Sequence, residues 1–144
     1  MKRLLSLLLA AALSGPLLAI EYRTVDAAAV LYDAPSQRGS KLFVIRRGTP
    51  VELVVSLEGW SKVRDADGGL AWIEARHLAK RRTVIVTAAR AQIRQSADES
   101  APVVFEAEKN VSLVYLEVAP GGWAKVRHRD GQAGVVRASQ VWGL

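Results

Sequence analysis

A segment of the chain occurs twice, and this internal repeat restricts the fold more than any other feature of the sequence. Residues 59–64 have the pattern Gly-Trp-small-Lys-Val-Arg, and residues 122–127 repeat it 63 positions later. The same offset aligns the Asp-Gly pair at 67–68 with the Asp-Gly pair at 130–131. A period of this length indicates copies of one structural unit. The sequence therefore predicts two very small domains of about 60 residues each, rather than one ordinary domain.

The alignment of the two copies extends upstream with smaller offsets. Val51 aligns with Val111 at an offset of 60, which gives the second copy three additional residues in the turn before its tryptophan. Residues 119–121, Ala-Pro-Gly, supply this longer turn. Farther upstream, residues 42–44 align with 103–105, and Tyr32 aligns with Ile93.

Within each copy the local patterns are typical of β-strands. Apolar residues alternate along 50–57, at Val51, Leu53, Val55 and Leu57, as in a strand with one buried face. Glycine-containing turns separate this strand from strands at 60–64 and 70–74, which predicts consecutive antiparallel hairpins. The stretches 33–41 and 95–102 are rich in Ser, Ala, Gln and Pro and are predicted to be long loops. Residues 80–82 join the copies without a flexible linker, so we expect a stiff connection.

The N-terminus has the order of a secretory signal peptide. Two basic residues precede an apolar run over residues 4–13, and Pro16 and small Ala19 follow it. We expect cleavage after Ala19 and export to the periplasm or the extracellular space. The alternative is a retained anchor, although the run is short for a bilayer span of about 20 residues. The predicted division is signal peptide 1–19, first domain 20–81 and second domain 82–144.

Composition argues against nucleic-acid binding and against catalysis. Without the two basic residues of the predicted signal peptide, 18 Lys and Arg remain against 14 Asp and Glu, which is too mild an excess for a nucleic-acid-binding face. The chain has no cysteine, which excludes disulfides and a cysteine nucleophile. Its only histidines, His77 and His128, lack the spacing of metal ligands. We predict no catalytic residues, no metal, no cofactor and no enzymatic activity.

The repeated residues resemble the bacterial SH3-like family. Its domains combine an opening strand, a long loop, a Gly-Trp turn into a Lys-Val-Arg strand and a closing Gly-x-x-Trp-Val-like strand, to which residues 69–73 (Gly-Leu-Ala-Trp-Ile) are similar. The resemblance implies an all-β fold of two tandem small SH3-like barrels after the signal peptide, and an accessory module that binds cell-wall material or protein. The sequence departs from the family pattern in its opening at 30–35 and at Val135, where the family tends to have tryptophan.

Several tryptophans have two interpretations. Trp60 and Trp123 open equivalent strands, where they either fill a small core or form stacking platforms for sugars, and the size of the domains favours the core. Trp72 lies either in the core or at the edge of a groove. Trp142 either seals the contact between the copies or stays exposed for a partner.

Each Lys-Val-Arg strand also forms a small basic edge. Lys62 and Arg64 share one strand face, as do Lys125 and Arg127. These pairs either bind the carboxylates of wall peptides or form a solvated outer face that discourages edge-to-edge aggregation, and the second interpretation is favoured. The basic residues at 80–82 have the same two interpretations.

Together these features predict a non-catalytic cell-envelope binding module that contacts peptidoglycan or an extended peptide in the groove beside one or both long loops. The alternative is a structural or regulatory adaptor that docks on an envelope protein. The expected partner is a cell-wall polymer or an envelope protein, not nucleic acid, and no membrane span remains after cleavage. Because the copies differ most in their loops, the duplication indicates a shared scaffold rather than two equivalent sites. The candidate binding residues are Tyr32, Asp33, Arg64, Trp72, Arg127 and Trp142.

Overall fold

The structure, a computed structural model, describes residues 18–144, so nearly all of the predicted signal peptide lies outside the described residues. The all-β prediction is confirmed, because two seven-stranded antiparallel sheets account for the fold. Two single 3-10 turns, Ala75–His77 and Ala138–Gln140, are the helical elements of residues 18–144. Within the same residues, no helix is long and apolar enough to cross a membrane.

Both domains have the same strand order. The first-domain strands are β1 (Tyr22–Val25), β2 (Ala29–Tyr32), β3 (Lys41–Ile45), β4 (Pro50–Leu57), β5 (Trp60–Arg64), β6 (Leu70–Glu74) and β7 (Leu78–Ala79). The second-domain strands are β8 (Thr83–Val86), β9 (Arg90–Arg94), β10 (Val103–Glu108), β11 (Ser112–Ala119), β12 (Trp123–Arg127), β13 (Ala133–Arg137) and β14 (Val141–Trp142). The sheet of the first domain is ordered β3-β2-β6-β5-β4-β1-β7, and the second repeats this as β10-β9-β13-β12-β11-β8-β14.

The turns before the repeated tryptophans depend on glycine. Gly59 and Gly122 have φ angles of 75° and 83°, in the left-handed region that side chains with a Cβ disfavour. Each turn folds a long strand back onto the strand that starts with tryptophan, so the predicted hairpins are confirmed. The stretches between β2 and β3 and between β9 and β10 are loops, as the sequence predicts.

Each domain has a small aliphatic core of its own. The largest fully buried side chains include Leu31 and Ile73 in the first domain and Ile93 and Leu113 in the second. Gly134 occupies the second-domain position of Ala71, and a Cβ there would lie 2.5 Å from the carbonyl oxygen of Arg94. The second core is therefore packed too closely at this position for any side chain.

The pairing register shows that the upstream sequence alignment was wrong by one residue in β2 and β3. Tyr32 lies opposite Trp72, and Arg94 lies opposite the equivalent Val135, so Tyr32 corresponds to Arg94 and not to Ile93. By the same register Phe43, opposite Leu31, corresponds to Phe105, opposite Ile93. The prediction that residues 42–44 align with 103–105 is therefore shifted by one.

The register also corrects the alignment of the long strands β4 and β11. Glu52 lies opposite Arg64, and Val114 lies opposite the equivalent Arg127. Val51 therefore corresponds to Leu113 rather than to Val111. Two residues connect β4 to β5 and three connect β11 to β12, so the second turn has gained one residue and not three.

The predicted single buried face of β4 is correct only for its first half. Val51 is fully buried and Leu53 packs against the core, but Val55 and Leu57 are exposed. The register shifts between Leu53 and Val55, and this irregularity ends the strict alternation of faces. The second half of β4 extends beyond the core as a hairpin arm.

The connection between the domains is stiff, as the missing linker predicts. The hydroxyl of Thr83 in β8 donates to the carbonyl oxygen of Gly48 (2.9 Å) and lies 3.0 Å from the hydroxyl of Thr24 in β1. Both threonines are buried. At this junction between the domains, the ring of Tyr22 from the first domain packs edge to face against that of Trp142 from the second, with centroids 5.1 Å apart. Trp142 therefore seals the contact between the copies, which resolves the two interpretations of the sequence.

We expect this junction to weaken at alkaline pH through Tyr22. Burial, and next the charge of Glu52, raise the pKa of Tyr22 above its usual value, although Arg82 partly opposes this. The phenol of Tyr22 therefore loses its proton at lower pH in the unfolded chain than in the folded one. The stabilisation that Tyr22 gives the folded state is complete below pH about 10, and it is lost as the pH rises through the higher folded pKa. Urea unfolding followed by tryptophan fluorescence from pH 8 to 11 should show a steeper loss of stability for the unmodified protein than for Tyr22→Phe. Parallel curves would contradict this role.

Candidate functional site

Four side chains meet on the outer side of the first sheet, which we call the outer aromatic face: the half-buried Trp60, Lys62 and Trp72, and Tyr32, which is only 7% exposed. The alternation of β5 buries Ser61 and turns Trp60 and Lys62 away from the core. Tyr32 and Lys62 lie opposite Trp72 on its two sides, from β2 and β5. The Tyr32 and Trp60 rings pack edge to face at 5.4 Å, and the Lys62 Nζ lies 6.0 Å from the Trp72 ring.

The long loop of the first domain borders this face. Gln37 of the loop is close enough to Glu74, which lies opposite Trp60 at the end of β6, to help lower the pKa of its carboxyl group. The hydrogen bond from Arg76 Nε at 2.9 Å is the main cause that lowers this pKa, so the carboxylate stays ionised at the rim of the face. A ligand on the outer aromatic face would thus meet aromatic rings, one ammonium group and one carboxylate.

The same surface of the second domain is closed. Arg94 and Val135 occupy the positions of Tyr32 and Trp72. The remaining tryptophan, Trp123, is only 5% exposed because the guanidinium of Arg137 lies 4.5 Å above its ring. Arg137 in turn forms an ion pair with Glu99 of the second long loop. The two domains thus share a scaffold and differ in what its outer surface offers, as the sequence predicts.

The structure corrects the prediction that Trp60 and Trp123 fill the aliphatic cores. Both lie outside the core clusters, on the face opposite the buried residues of their strands. Trp123 is nevertheless buried, by Arg137, whereas Trp60 is only half-buried. Trp72 likewise lies outside the core, half-buried on the outer side of the sheet, so the core interpretation is wrong and its place at the edge of a groove stays a prediction.

The remaining sequence candidates have different surroundings. The Asp33 carboxylate accepts a hydrogen bond from the backbone N–H of Ser40 (2.7 Å) and closes its own loop. Arg64 forms an ion pair with Glu52 at 2.7 Å, whereas Arg127 lies opposite Val114 and has no ion-pair partner among residues 18–144. The structure therefore groups Tyr32 with Trp72, and it places Arg64 on the same face of β5 as Trp60 and Lys62 but pairs it with Glu52. Asp33, Arg127 and Trp142 do not join this group. Trp60 and Lys62 complete the group, and the alternation of β5 is the sequence signal that links them.

The two histidines belong to separate environments. His77 lies in the first 3-10 turn, half-buried, and the Nδ1 of His128 lies 3.1 Å from Asp130. Within residues 18–144, no group of three His, Cys, Asp or Glu side chains is arranged to hold a metal ion.

Two tandem SH3-like barrels, of which the first carries the outer aromatic face, define a protein built from two small β domains. The model of the bacterial SH3 domain matches the chain twice, over residues 25–80 and 87–143, and the chain belongs to this family. Bacterial SH3 domains are cell-wall binding modules, and they typically occur in exported proteins. A comparison with curated protein sequences found no match.

Solved structures that match this chain include two proteins from Trichomonas vaginalis. NlpC1 is 15% identical with a TM-score of 0.41, and the match covers 98% of this chain and 51% of NlpC1. NlpC2 is 12% identical with a TM-score of 0.40, and the match covers 88% of this chain and 49% of NlpC2. An NlpC/P60 family protein from Bacillus cereus is 16% identical with a TM-score of 0.39, covering 85% and 56%. The chain thus spans about half the length of these structures.

Proposed function

We propose that the protein is a non-catalytic binding module of the cell envelope whose first domain contacts peptidoglycan or an extended peptide on the outer aromatic face. The observation that supports this most is the position of Tyr32, Trp60 and Trp72. Trp60 and Trp72 lie half-buried outside the aliphatic core, and Tyr32, which is only 7% exposed, packs edge to face against Trp60. Half-buried Trp60 and Trp72 add little to the core, which leaves their ring surfaces for a ligand.

The chemistry of this face suits a neutral or mildly polar ligand. Aromatic side chains supply large, rigid contact areas, and they are concentrated at the energetically important centres of binding surfaces. Lys62, opposite Trp72, provides a donor group and Glu74, opposite Trp60, provides an acceptor group for the polar atoms of a glycan or a peptide backbone.

Sedimentation of the purified protein with cell-wall sacculi tests the proposal. We expect the unmodified protein to be depleted from the supernatant and Trp72→Val to bind at least tenfold more weakly, because loss of a central aromatic anchor costs about 2 kcal/mol or more. Valine is chosen because the second domain has Val135 on the same scaffold. Val118→Ser, which changes an apolar residue that is 75% exposed on β11, is the control and should sediment normally.

Three outcomes would contradict the proposal. The absence of depletion for the unmodified protein would exclude wall binding, and equal losses for Trp72→Val and Val118→Ser would exclude the outer aromatic face. Release of soluble products from the sacculi by the protein alone would contradict its non-catalytic character.

The second candidate function, an adaptor that docks on an envelope protein, is supported by strand β3. This strand lies at one end of the first sheet, and Leu42, Phe43 and Val44 are all largely exposed. An exposed apolar edge strand is a template for strand addition by another protein. In-cell cross-linking distinguishes this function: one stoichiometric protein partner that is lost in Val44→Lys, together with no sacculus binding, would favour the adaptor.

A further inference from the structure

A second surface lies between the domains, where neither copy alone could form it. This interdomain cleft has a volume of about 600 Å³. One wall is the turn at residues 46–49 between β3 and β4, and the other is formed by residues 110–114 of the second domain and the turn at 128–129. The volume lies in the range of pockets that bind small molecules or short polymer segments.

The charge of the cleft has one sign. Arg46, Arg47, Arg81 and Arg129 line it, and no aspartate or glutamate does. Within residues 18–144 none of these four arginines forms an ion pair, although several arginines elsewhere pair with a nearby glutamate. His128 also lines the cleft, but its Nδ1 lies 3.1 Å from the carboxylate of Asp130. Unpaired like charges around one cavity repel each other and raise its positive potential.

The walls of the cleft are fixed before any ligand arrives. Thr83 lies in its lining and is hydrogen-bonded to Gly48 across the domain boundary. Thr83 is only 4% exposed, so this contact is shielded from water. A preformed site avoids the entropic cost of ordering two separate domains around a ligand.

We infer that the interdomain cleft is an anion-binding site for a ligand that carries two or more carboxylate or phosphate groups. Guanidinium groups recognise both kinds of oxyanion through paired, charge-assisted hydrogen bonds. The four arginines come from both domains and their connection, so an anion with separated charges bridges all three segments. The site is distinct from the outer aromatic face, and its ligand is distinguished by charge rather than by apolar contact.

Isothermal titration calorimetry of the purified protein with two probes tests this inference. Inorganic pyrophosphate represents phosphate ligands, and a tri-glutamate peptide represents carboxylate ligands. We expect saturable binding of at least one probe at low salt, and affinity about tenfold weaker in Arg47→Gln and in Arg129→Gln. Arg38→Gln, an exposed arginine in the first long loop, is the matched control and should bind normally. Binding should weaken as salt is added.

The outcomes separate the alternatives. Binding of pyrophosphate alone assigns a phosphate ligand, binding of the peptide alone assigns a carboxylate ligand, and binding of both assigns the shared oxyanion chemistry. No binding of either probe at low salt would overturn the inference, as would equal weakening by Arg38→Gln, which would indicate general surface attraction. Trp72→Val should bind the probes as the unmodified protein does. The proposed anion site and the proposed wall-binding face can therefore be disproved independently of each other.

Discussion

Replacing Trp123 with alanine is expected to lower the free energy of unfolding by about 3–5 kcal/mol, the range for removing a large buried aromatic side chain. Trp123 is 5% exposed and lies beneath the guanidinium of Arg137 at 4.5 Å. Trp60→Ala, the matched change in the first domain, should cost only about 1–2 kcal/mol because Trp60 is half-buried and has no covering arginine.

Differential scanning calorimetry of both variants measures this difference. A loss of about 3 kcal/mol is a large share of the stability of a domain of this size, so Trp123→Ala should move the melting transition by many degrees. Trp123→Phe retains an aromatic ring under Arg137 and should recover part of the loss. Equal destabilisation by Trp60→Ala and Trp123→Ala would show that the two tryptophans do not differ in burial as described.

The second large effect is expected for Arg82, which connects the two domains. Its guanidinium carbon lies 5.2 Å from the ring centroids of both Tyr22 and Tyr115, and its Nη2 donates to the carbonyl oxygen of Gly143 at 2.6 Å. Arg82→Ala removes two cation–π contacts and a charged hydrogen bond, at a combined cost of about 2–4 kcal/mol. Because Tyr22 and Tyr115 belong to different domains, most of this loss should appear as weaker coupling between them.

Calorimetry again supplies the measurement. The unmodified protein should unfold in one transition, whereas Arg82→Ala should show two resolved transitions or one broadened transition. Arg81→Ala is the control, since Arg81 is exposed and adjacent in sequence. Arg82→Lys keeps the charge but loses the planar group that packs between the rings. Its melting behaviour should therefore be intermediate between that of the unmodified protein and that of Arg82→Ala. Identical melting of Arg82→Ala and Arg81→Ala would contradict the coupling role.

Much of the fold could be predicted from the repeated Gly-Trp-Lys-Val-Arg segment. The turn glycine and the alternating apolar residues are local requirements of a hairpin, so they are visible in the sequence wherever a hairpin forms. Two copies in register also identified the strands β5 and β6 with their correct bounds. These features do not depend on contacts between distant residues.

The register upstream could not be predicted in the same way. Matching Val51 with Val111 maximises the similarity of apolar residues along the sequence, whereas cross-strand pairing places Val51 and Leu113 at equivalent positions, and pairing between strands is not visible in a single sequence. The tryptophans were misplaced for a related reason. The size of the side chains favours a core position for both tryptophans. However, Trp60 and Trp123 lie two residues before the outward Lys62 and Lys125, so they are on the same outward face of their strands.

The interdomain cleft was not predicted because its residues are scattered along the chain. Arg46, Arg47, Arg81 and Arg129 lie in turns and in the connection between domains, and each alone resembles an ordinary solvated residue. Only the docking of the domains at Thr83 brings them to one cavity. The composition could not reveal this clustering, since the net excess of positive charge is mild.

The central claim is that one duplicated scaffold presents its wall-binding surface in the first domain only. Mapping of backbone amide chemical shifts during titration of the purified protein with soluble peptidoglycan fragments tests it most directly. We predict saturable shifts concentrated at Tyr32, Lys62 and Trp72, with the equivalent positions Arg94, Lys125 and Val135 unchanged. Shifts of equal size at both sets of positions, or at neither, would contradict the claim.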